Sequence, residues 1–194
     1  MANPDECHWE AALRCLNYVK ATRDKKLTLG GTNKDPPVIY SDSDWAGDPS
    51  SRRSTSGLLT MFRSSPVAFA STLQKTVALS SAEAEYIALS PAVKQALWMR
   101  KILSDFNIPI KCSITVHEDN QAAIAIANDH GRFHRRTKHI DVRYHFVRQH
   151  VKNGNVVLQW IPTAKMLADM YTKPLVRRKF VELADKIMPD VPMV

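Results

Sequence analysis

Carboxylates follow a strand-like apolar run near the start of the chain. Residues 38–40 are Val-Ile-Tyr, and Asp42, Asp44 and Asp48 come directly after them. Acids at the end of a buried strand cost stability unless water, a cation or a basic side chain compensates their charge. Strand alternation places Asp42 and Asp44 on one face, and Asp48 lies in a Gly-Asp-Pro turn. We therefore predict Asp42 as a metal ligand, Asp44 as a supporting group and Asp48 as a turn residue.

A second pair of acids, Glu83 and Glu85, begins a long helical pattern over about residues 81–106. The two side chains lie ~200° apart around a helix, so both cannot face one site. Ser80 and Glu83 fit a capping box at the start of the helix. Spacing from Glu85 instead gives an apolar series typical of a helix on a sheet: Leu89, Ala92, Ala96, Met99 and Leu103. We predict that Glu83 caps the helix and that Glu85 points inward.

Two further acids stand later in the chain. Asp119 follows a strand pattern, with Glu118 as its competitor, and a helix begins at Gln121. A carboxylate at this junction lies at the carboxyl edge of the sheet, where sites of open α/β folds gather, although it could instead cap the helix. Asp169 lies in a predicted short helix, where an isolated acid is usually a solvated surface residue. Its assignment to the site depends on the other acids.

The elements that must position these acids follow from periodicity and turn residues. An amphipathic helix over residues 7–20 and a linker ending at Pro36-Pro37 come before the first strand. Pro91 predicts a kink in the long helix. The predicted strands and helices then alternate in this order: strands 38–42, 58–62 and 67–70, helix 81–106, strand 113–117, helix 121–127, a helix ending at Asn153-Gly154, strand 156–161, a helix containing Asp169, and a final helix after Pro174. This order predicts an α/β fold, a mixed sheet with helices on its faces.

Composition limits the kinds of partner. The 194 residues suit one domain with extensions, and no apolar run approaches the ~20 residues of a membrane span. The start of the chain has no secretory pattern, and the 3 cysteines, outside any CxxC motif, indicate buried or inert reduced thiols. A net charge of +8 favours a polyanionic partner, with nucleic acid first. Histidines between residues 130 and 150 have irregular spacing and no paired cysteines, so a zinc site is disfavoured.

Several motifs together resemble the ribonuclease H domain of copia-type LTR retrotransposons. They are Tyr-Ser-Asp-Ser-Asp-Trp-Ala-Gly-Asp at 40–48, Leu-Ser-Ser-Ala-Glu-Ala-Glu-Tyr at 79–86, Asp-Asn-Gln at 119–121, Thr-Lys-His-Ile at 137–140, Tyr-His-Phe at 144–146 and Ala-Asp-Met-Tyr-Thr-Lys-Pro-Leu at 168–175. The resemblance covers roughly residues 36–175. Residues 1–35 resemble the tail of the preceding reverse transcriptase domain plus a linker. Residues 176–194 are predicted to form a C-terminal helix and tail.

This resemblance implies the ribonuclease H-like fold, with a five-stranded mixed sheet flanked by helices. It implies that Asp42, Glu85, Asp119 and Asp169 are catalytic and bind two divalent cations, Mg²⁺ or Mn²⁺. The implied activity is endonucleolytic hydrolysis of the RNA strand of an RNA–DNA hybrid during reverse transcription. Two hard cations also neutralise carboxylates that would otherwise repel one another.

The resemblance also implies nucleic-acid contacts and a setting. Basic residues that we expect to contact phosphates, rather than only to form a solvated surface, are Arg52, Arg53, Lys138 and Arg143. The RNA strand would be recognised through its 2′-hydroxyls. An adjacent reverse transcriptase domain is the expected protein partner. The expected location is intracellular, either cytoplasmic in a virus-like particle or nuclear, without membrane contact.

Two alternatives remain at this stage. One is a catalytically idle nucleic-acid-binding or scaffold domain of the same fold. A departure from the family pattern favours it: many ribonucleases H carry a histidine in the loop before the last acid, and residues 161–169 contain none. Retention of all four acids argues against this alternative. The other is a DNA recombinase or transposase of that fold, which does not need Glu85.

Overall fold

Five strands form one mixed sheet with the order β3-β2-β1-β4-β5. The computed structural model describes residues 4–27, 29–30, 34–129 and 138–188, except the side chains of residues 138–142. β1, β2 and β3 pair antiparallel, whereas β4 lies parallel to both β1 and β5. The strand bounds are β1 Val38–Asp44, β2 Thr55–Phe62, β3 Ser65–Leu73, β4 Ile114–Glu118 and β5 Val156–Trp160. The predicted α/β fold with a five-stranded mixed sheet is confirmed.

The helices follow the predicted order. Their bounds are α1 Glu6–Ala21, α2 Ser81–Asp105, α3 Gln121–Asn128, α4 Lys138–Lys152 and α5 Arg177–Ile187. The predicted helix around Asp169 is instead a pair of 3₁₀ turns, Thr163–Lys165 and Leu167–Tyr171. Both turns lie between Pro162 and Pro174, and the longer of them has 5 residues, in keeping with the short length of 3₁₀ segments.

α2 builds the core on one face of the sheet. The apolar series after Glu85 is buried as predicted, and it packs with side chains of β1, β4, α3 and α4. α2 is a continuous helix through Pro91. Ile87 and Ser90, which lie at helical spacing from Glu83 and outside that apolar series, are also buried. Ile87 belongs to a small buried cluster with Ala84 and with Ala78 of the loop after β3, and Ile87 and Ser90 both line a cavity beside the end of β3.

The 3₁₀ turns and α5 cover the opposite face. Their buried side chains Leu167, Leu183 and Ile187 pack against Leu59 of β2. Gly57 of β2 permits this close approach, since a Cβ there would lie 2.6 Å from Thr172 Cγ2 and 2.8 Å from the Ala168 carbonyl oxygen. The residue opposite Gly57 in β1 is Asp42. The turns are therefore brought directly beside the predicted metal ligand.

α1 has no buried residue and touches α5 near its own carboxyl end. The Tyr18 and Phe180 rings meet edge to face with centroids 5.8 Å apart, and Lys25 Nζ lies 3.1 Å from Asp185 Oδ1. The origin of residues 1–35 as the tail of a neighbouring domain stays a prediction.

The three cysteines are unpaired as predicted, but all are exposed rather than buried. Across the described residues, no helix has the length and apolar character needed to cross a membrane.

Candidate metal centre

Three carboxylates from separate elements converge at the carboxyl edge of β1 and β4. Asp42 lies near the end of β1, Glu85 in the first turns of α2, and Asp119 directly after β4. One oxygen from each carboxylate lies within 4.8 Å of the others. Among the described residues, no other group of three or more candidate metal ligands converges in this way. Asp42 and Glu85 are buried, and Asp119 is partly exposed. The structure thus brings together three of the four predicted ligands.

Burial makes this cluster costly when it carries its full charge. Loss of solvation raises the pKa of Asp42 to about 6, against the opposing effect of a hydrogen bond from Thr172. Loss of solvation, followed by the charge of Glu118, raises the pKa of Glu85 to about 11. A site that disfavours negative charge this strongly is stabilised by any cation that enters it.

The donor set fits a hard divalent cation. All three groups offer carboxylate oxygens, the ligands that Mg²⁺ and Mn²⁺ prefer. Glu85 Oε2 is buried and has no hydrogen-bond partner among the described residues. A buried oxygen without a partner is costly, and a metal ion is one of the few groups that satisfies it. Asp42, Glu85 and Asp119 are therefore suited to hold such an ion.

Two threonines from the 3₁₀ region fix two of the ligands. Thr172 Oγ1 lies 2.6 Å from Asp42 Oδ2, and Thr163 Oγ1 lies 2.7 Å from Asp119 Oδ2. A hydroxyl has a single proton, so Thr172 donates to Asp42 and not also to the Asp169 carbonyl, 3.0 Å away. The Trp160 indole N–H donates to the Asp119 backbone carbonyl at 3.0 Å. Each threonine bond occupies one carboxylate oxygen and leaves the other oxygen for a ligand.

Glu85 is positioned through the start of α2. Ser80 is the N-cap and accepts from the Glu83 amide at 3.2 Å, while a carboxylate oxygen of Glu83 accepts from the Leu79 amide at 2.7 Å. The predicted division, with Glu83 at the cap and Glu85 inward, matches this geometry. Gln74 Nε2 donates to the Ala84 carbonyl and to Ser56 Oγ, both at 2.9 Å, and so ties this turn to β2.

Glu118, the competitor of Asp119, is outside the group of three converging carboxylates. Its side chain is fully buried, Oε1 accepts from the Asn120 amide at 3.1 Å, and burial raises its pKa well above the ordinary value. Asp119 does not cap α3, because the Asn120 side chain accepts from the Ala122 and Ala123 amides. The structure therefore places Asp119, and not Glu118, among the three converging ligands.

Asp169 is held differently. Its carboxylate is fully buried, Oδ1 lies 2.7 Å from Lys173 Nζ, and Oδ2 contacts Lys179 Nζ. Although burial raises the pKa of Asp169, hydrogen bonds from both lysines hold it below the ordinary value. Its charge still reaches Asp42, whose pKa it raises. Asp169 thus lies beside the cluster but is already neutralised by the protein, and its role as a metal ligand stays a prediction.

The remaining predicted residues surround the site or lie apart from it. Asp44 is outside the converging group, and Asp48 is a turn residue whose carboxylate accepts from Ser50 and Ser51. Arg52 is exposed in that turn, and Arg53 Nε donates to Ser51 Oγ. Arg143 lines a cavity of about 250 Å³ between β2, β3 and α2, together with Lys75 and Lys94. The Lys138 side chain lies outside the described residues, as do His130, His134 and the side chain of His139.

Several residues that organise the site were not predicted from the sequence. These are Gly57, Gln74, Thr163, Thr172, Lys173 and Lys179. Thr172 and Lys173 lie inside the motif at 168–175 that carried the family resemblance, so the motif was the available signal for them. The others have no local signal, because their contacts are to residues distant in sequence.

Comparison with known proteins identifies relatives along almost the whole chain. No family model matches the sequence. The chain is 38% identical over 182 residues to the Retrovirus-related Pol polyprotein from transposon TNT 1-94 of Nicotiana tabacum, across 93% of this chain and 13% of that protein. It is 34% identical over 187 residues to the Pol polyprotein from transposon RE2 of Arabidopsis thaliana, across 96% of this chain and 13% of that protein. The chain therefore spans only a small part of these relatives.

Among solved structures, LC11-RNase H1, isolated from compost by a metagenomic approach, superposes with a TM-score of 0.53 at 17% identity. The superposition covers 70% of this chain and 91% of that one, which shows a shared fold. Together with the relatives above, this match identifies the chain as a ribonuclease H-fold domain of the copia-type retrotransposon Pol polyprotein family.

Proposed function

We propose that this domain is a metal-dependent ribonuclease H, which hydrolyses the RNA strand of RNA–DNA hybrids during reverse transcription. The observation that carries the proposal is the convergence of Asp42, Glu85 and Asp119 within 4.8 Å at the edge of this sheet. The high pKa values of Asp42 and Glu85 support it, because perturbed carboxylates that converge at one edge are typical of a functional site. The kinship with Pol polyproteins supports the biological setting.

The chain's own residues would bind and orient the reacting groups. Asp42, Glu85 and Asp119 would hold a divalent cation, and Asp169 would contribute to a second. Bound Mg²⁺ or Mn²⁺ supplies activation of a water and stabilisation of the leaving oxygen, which yields a 3′-hydroxyl and a 5′-phosphate. Thr172 and Thr163 keep Asp42 and Asp119 in fixed orientations, which lowers the entropy cost of assembling the site.

The substrate class follows from charge. A net charge of +8 on a chain that holds a cluster of acids leaves the rest of the surface strongly basic. We propose phosphate contacts from Arg52, Arg53, Lys138 and Arg143, and 2′-hydroxyl contacts that select the RNA strand. A reverse transcriptase domain is the proposed neighbour in the parent polyprotein, and a cytoplasmic virus-like particle or the nucleus is the proposed location.

The test compares purified wild type with Asp42→Asn on three labelled substrates: an RNA–DNA hybrid, duplex DNA and duplex RNA. We expect wild type to cut only the RNA of the hybrid, in Mg²⁺ or Mn²⁺, and the variant to bind the hybrid without cutting it. Binding by wild type without cleavage, at any metal concentration, would show an idle nucleic-acid-binding domain instead. Equal cutting of duplex DNA would indicate a recombinase.

A further inference from the structure

Two lysines neutralise Asp169 from independent elements. Lys173 follows Asp169 by four residues on the stretch after the 3₁₀ turns, and Lys179 lies in the first turn of α5. Their contacts occupy both oxygens of a carboxylate that has no exposed surface. α5 is anchored by the buried side chains of Leu183 and Ile187, so Lys179 is held in place by the core. The lysine pair is therefore part of the fold.

Lys173 also acts on the three-carboxylate cluster. Its positive charge lowers the pKa of Asp42 and of Glu85, against the larger effect of burial in each case. Asp42, Asp44 and Asp169 all act in turn to raise the pKa of Lys173, against the effect of burial. The Lys173 ammonium thus pairs with Asp169 and also interacts electrostatically with Asp42 and Glu85. Its side chain is 34% exposed, so an anion from solvent can reach it.

We propose that Lys173 and Lys179 gate Asp169, so that this carboxylate becomes a metal ligand only when Lys173 releases it. This inference rests on the proposed function and refines the order in which its site is assembled. One ion would bind first to Asp42, Glu85 and Asp119, and a substrate phosphate would draw Lys173 away before Asp169 joins a second ion. The physical basis is the cost of opening a buried ion pair, which an ion arriving alone must overcome.

Mn²⁺ binding to the metal-free full chain tests the gate without any cleavage assay. Titration calorimetry and Mn²⁺ electron paramagnetic resonance would give the number of ions and their affinities. We expect wild type to bind one Mn²⁺, with a second at least about tenfold weaker, a difference of ~1.4 kcal/mol. Lys173→Met should tighten the second ion by about tenfold or more. Asp169→Asn added to Lys173→Met should remove this gain.

The matched control is Lys186→Met on α5, whose exposed ion pair with Glu182 involves none of the four acids. It should leave both affinities unchanged. Lys179→Met retains Lys173 and provides a second variant if Lys173→Met folds poorly by circular dichroism. Two ions of equal affinity in wild type, or a second ion that neither lysine substitution tightens, would overturn the gate. If wild type binds Mn²⁺ as expected but cuts no hybrid, the proposed function fails and the gate stands.

Discussion

Asp42 and Asp169 are both buried carboxylates, yet the protein compensates their charges in opposite ways. Asp42 shares its surroundings with Glu85 and Asp119, and its pKa is raised. Asp169 has two lysines on its oxygens, and its pKa is lowered. The first arrangement is destabilising unless a cation arrives from outside, whereas the second carries its own cations. A fold can thus separate acids that are kept ready for a ligand from an acid that supports the structure until it is released.

The largest effect on turnover should come from Glu85, a member of the three-carboxylate cluster. Glu85→Gln removes a proposed metal ligand, and we expect turnover on the hybrid to fall by roughly a thousandfold or more. The metal-free fold should be about as stable as wild type, because glutamine resembles the protonated carboxyl group that the raised pKa of about 11 favours. Hybrid cleavage and thermal melting measure the two effects. Glu83→Ala is the control: it should lower the free energy of unfolding by about 0.5–2 kcal/mol through loss of the cap, with turnover retained. Exchange of these two outcomes would refute the assigned helix face.

Removal of Asp169, the acid that two lysines neutralise, should lower the stability of the fold. Asp169→Asn leaves two partly buried ammonium groups without a counter-charge, and we expect a loss of about 2–4 kcal/mol in the free energy of unfolding, measured in urea. Asp185→Asn breaks the exposed pair with Lys25 and should cost less than about 1 kcal/mol. An Asp169→Asn protein as stable as wild type would show that the lysine contacts contribute nothing.

The two acids should also give opposite pH dependence in the metal-free protein. Because the folded pKa of Asp42 is raised to about 6 from 3.8, its favourable contribution is full below pH 3.8 and is lost as pH rises through 6. The span corresponds to roughly 3 kcal/mol. Asp169, with a lowered pKa, contributes stability above 3.8 that is lost on acidification. Urea unfolding from pH 4 to 7 should show a steeper decline of stability in wild type than in Asp42→Asn, since the raised pKa values of Glu85 and Glu118 lower stability with rising pH in both proteins.

The same titration with Mg²⁺ sharpens the contrast. A cation binds the ionised carboxylate and competes with its proton, so the rise in melting temperature caused by Mg²⁺ should grow as pH increases through about 6. A Mg²⁺ effect that is constant between pH 5 and 8 would contradict the assignment of Asp42 as a ligand.

Gly57→Ala should disturb the link between the two regions. The added methyl would lie within 3 Å of the Ala168 carbonyl and Thr172, so the 168–172 segment must move. We expect a loss of about 1–3 kcal/mol in the free energy of unfolding together with reduced turnover. Denaturant unfolding and hybrid cleavage would be measured on the same sample. Unchanged values for both would show that the segment is not held against β2.

The smallest effect should come from Thr172. Thr172→Val keeps the shape but removes the hydroxyl that donates to Asp42, at a cost of about 1–2 kcal/mol, and raises the Asp42 pKa further. The pH–rate profile should therefore move to higher pH in Thr172→Val, and Thr172→Ser should restore it. A general packing role for Thr172 would lower stability without moving the profile.

Much of the architecture was predictable from local sequence. Apolar alternation and helical spacing gave the strand and helix order, and the apolar series after Glu85 indicated which of two glutamates faces the sheet. The 3₁₀ turns around Asp169 were not predictable in this way, because a short stretch between prolines has no period that distinguishes a 3₁₀ turn from an α-helix. The burial of Ile87 and Ser90 was not predictable either, since their neighbours in β3 and in the loop after it are not close to them in the sequence.

The sequence by itself determined the identity of the acids and the elements that carry them, because strand and helix periodicity depend on neighbouring residues. Only the tertiary structure decided how each acid's charge is compensated. The hydroxyl on Asp42 comes from a residue 130 positions away, and the lysine on Asp169 Oδ2 from a separate helix. Charge compensation acts over a few ångströms in space, and such distances between remote residues are set by packing rather than by spacing along the chain.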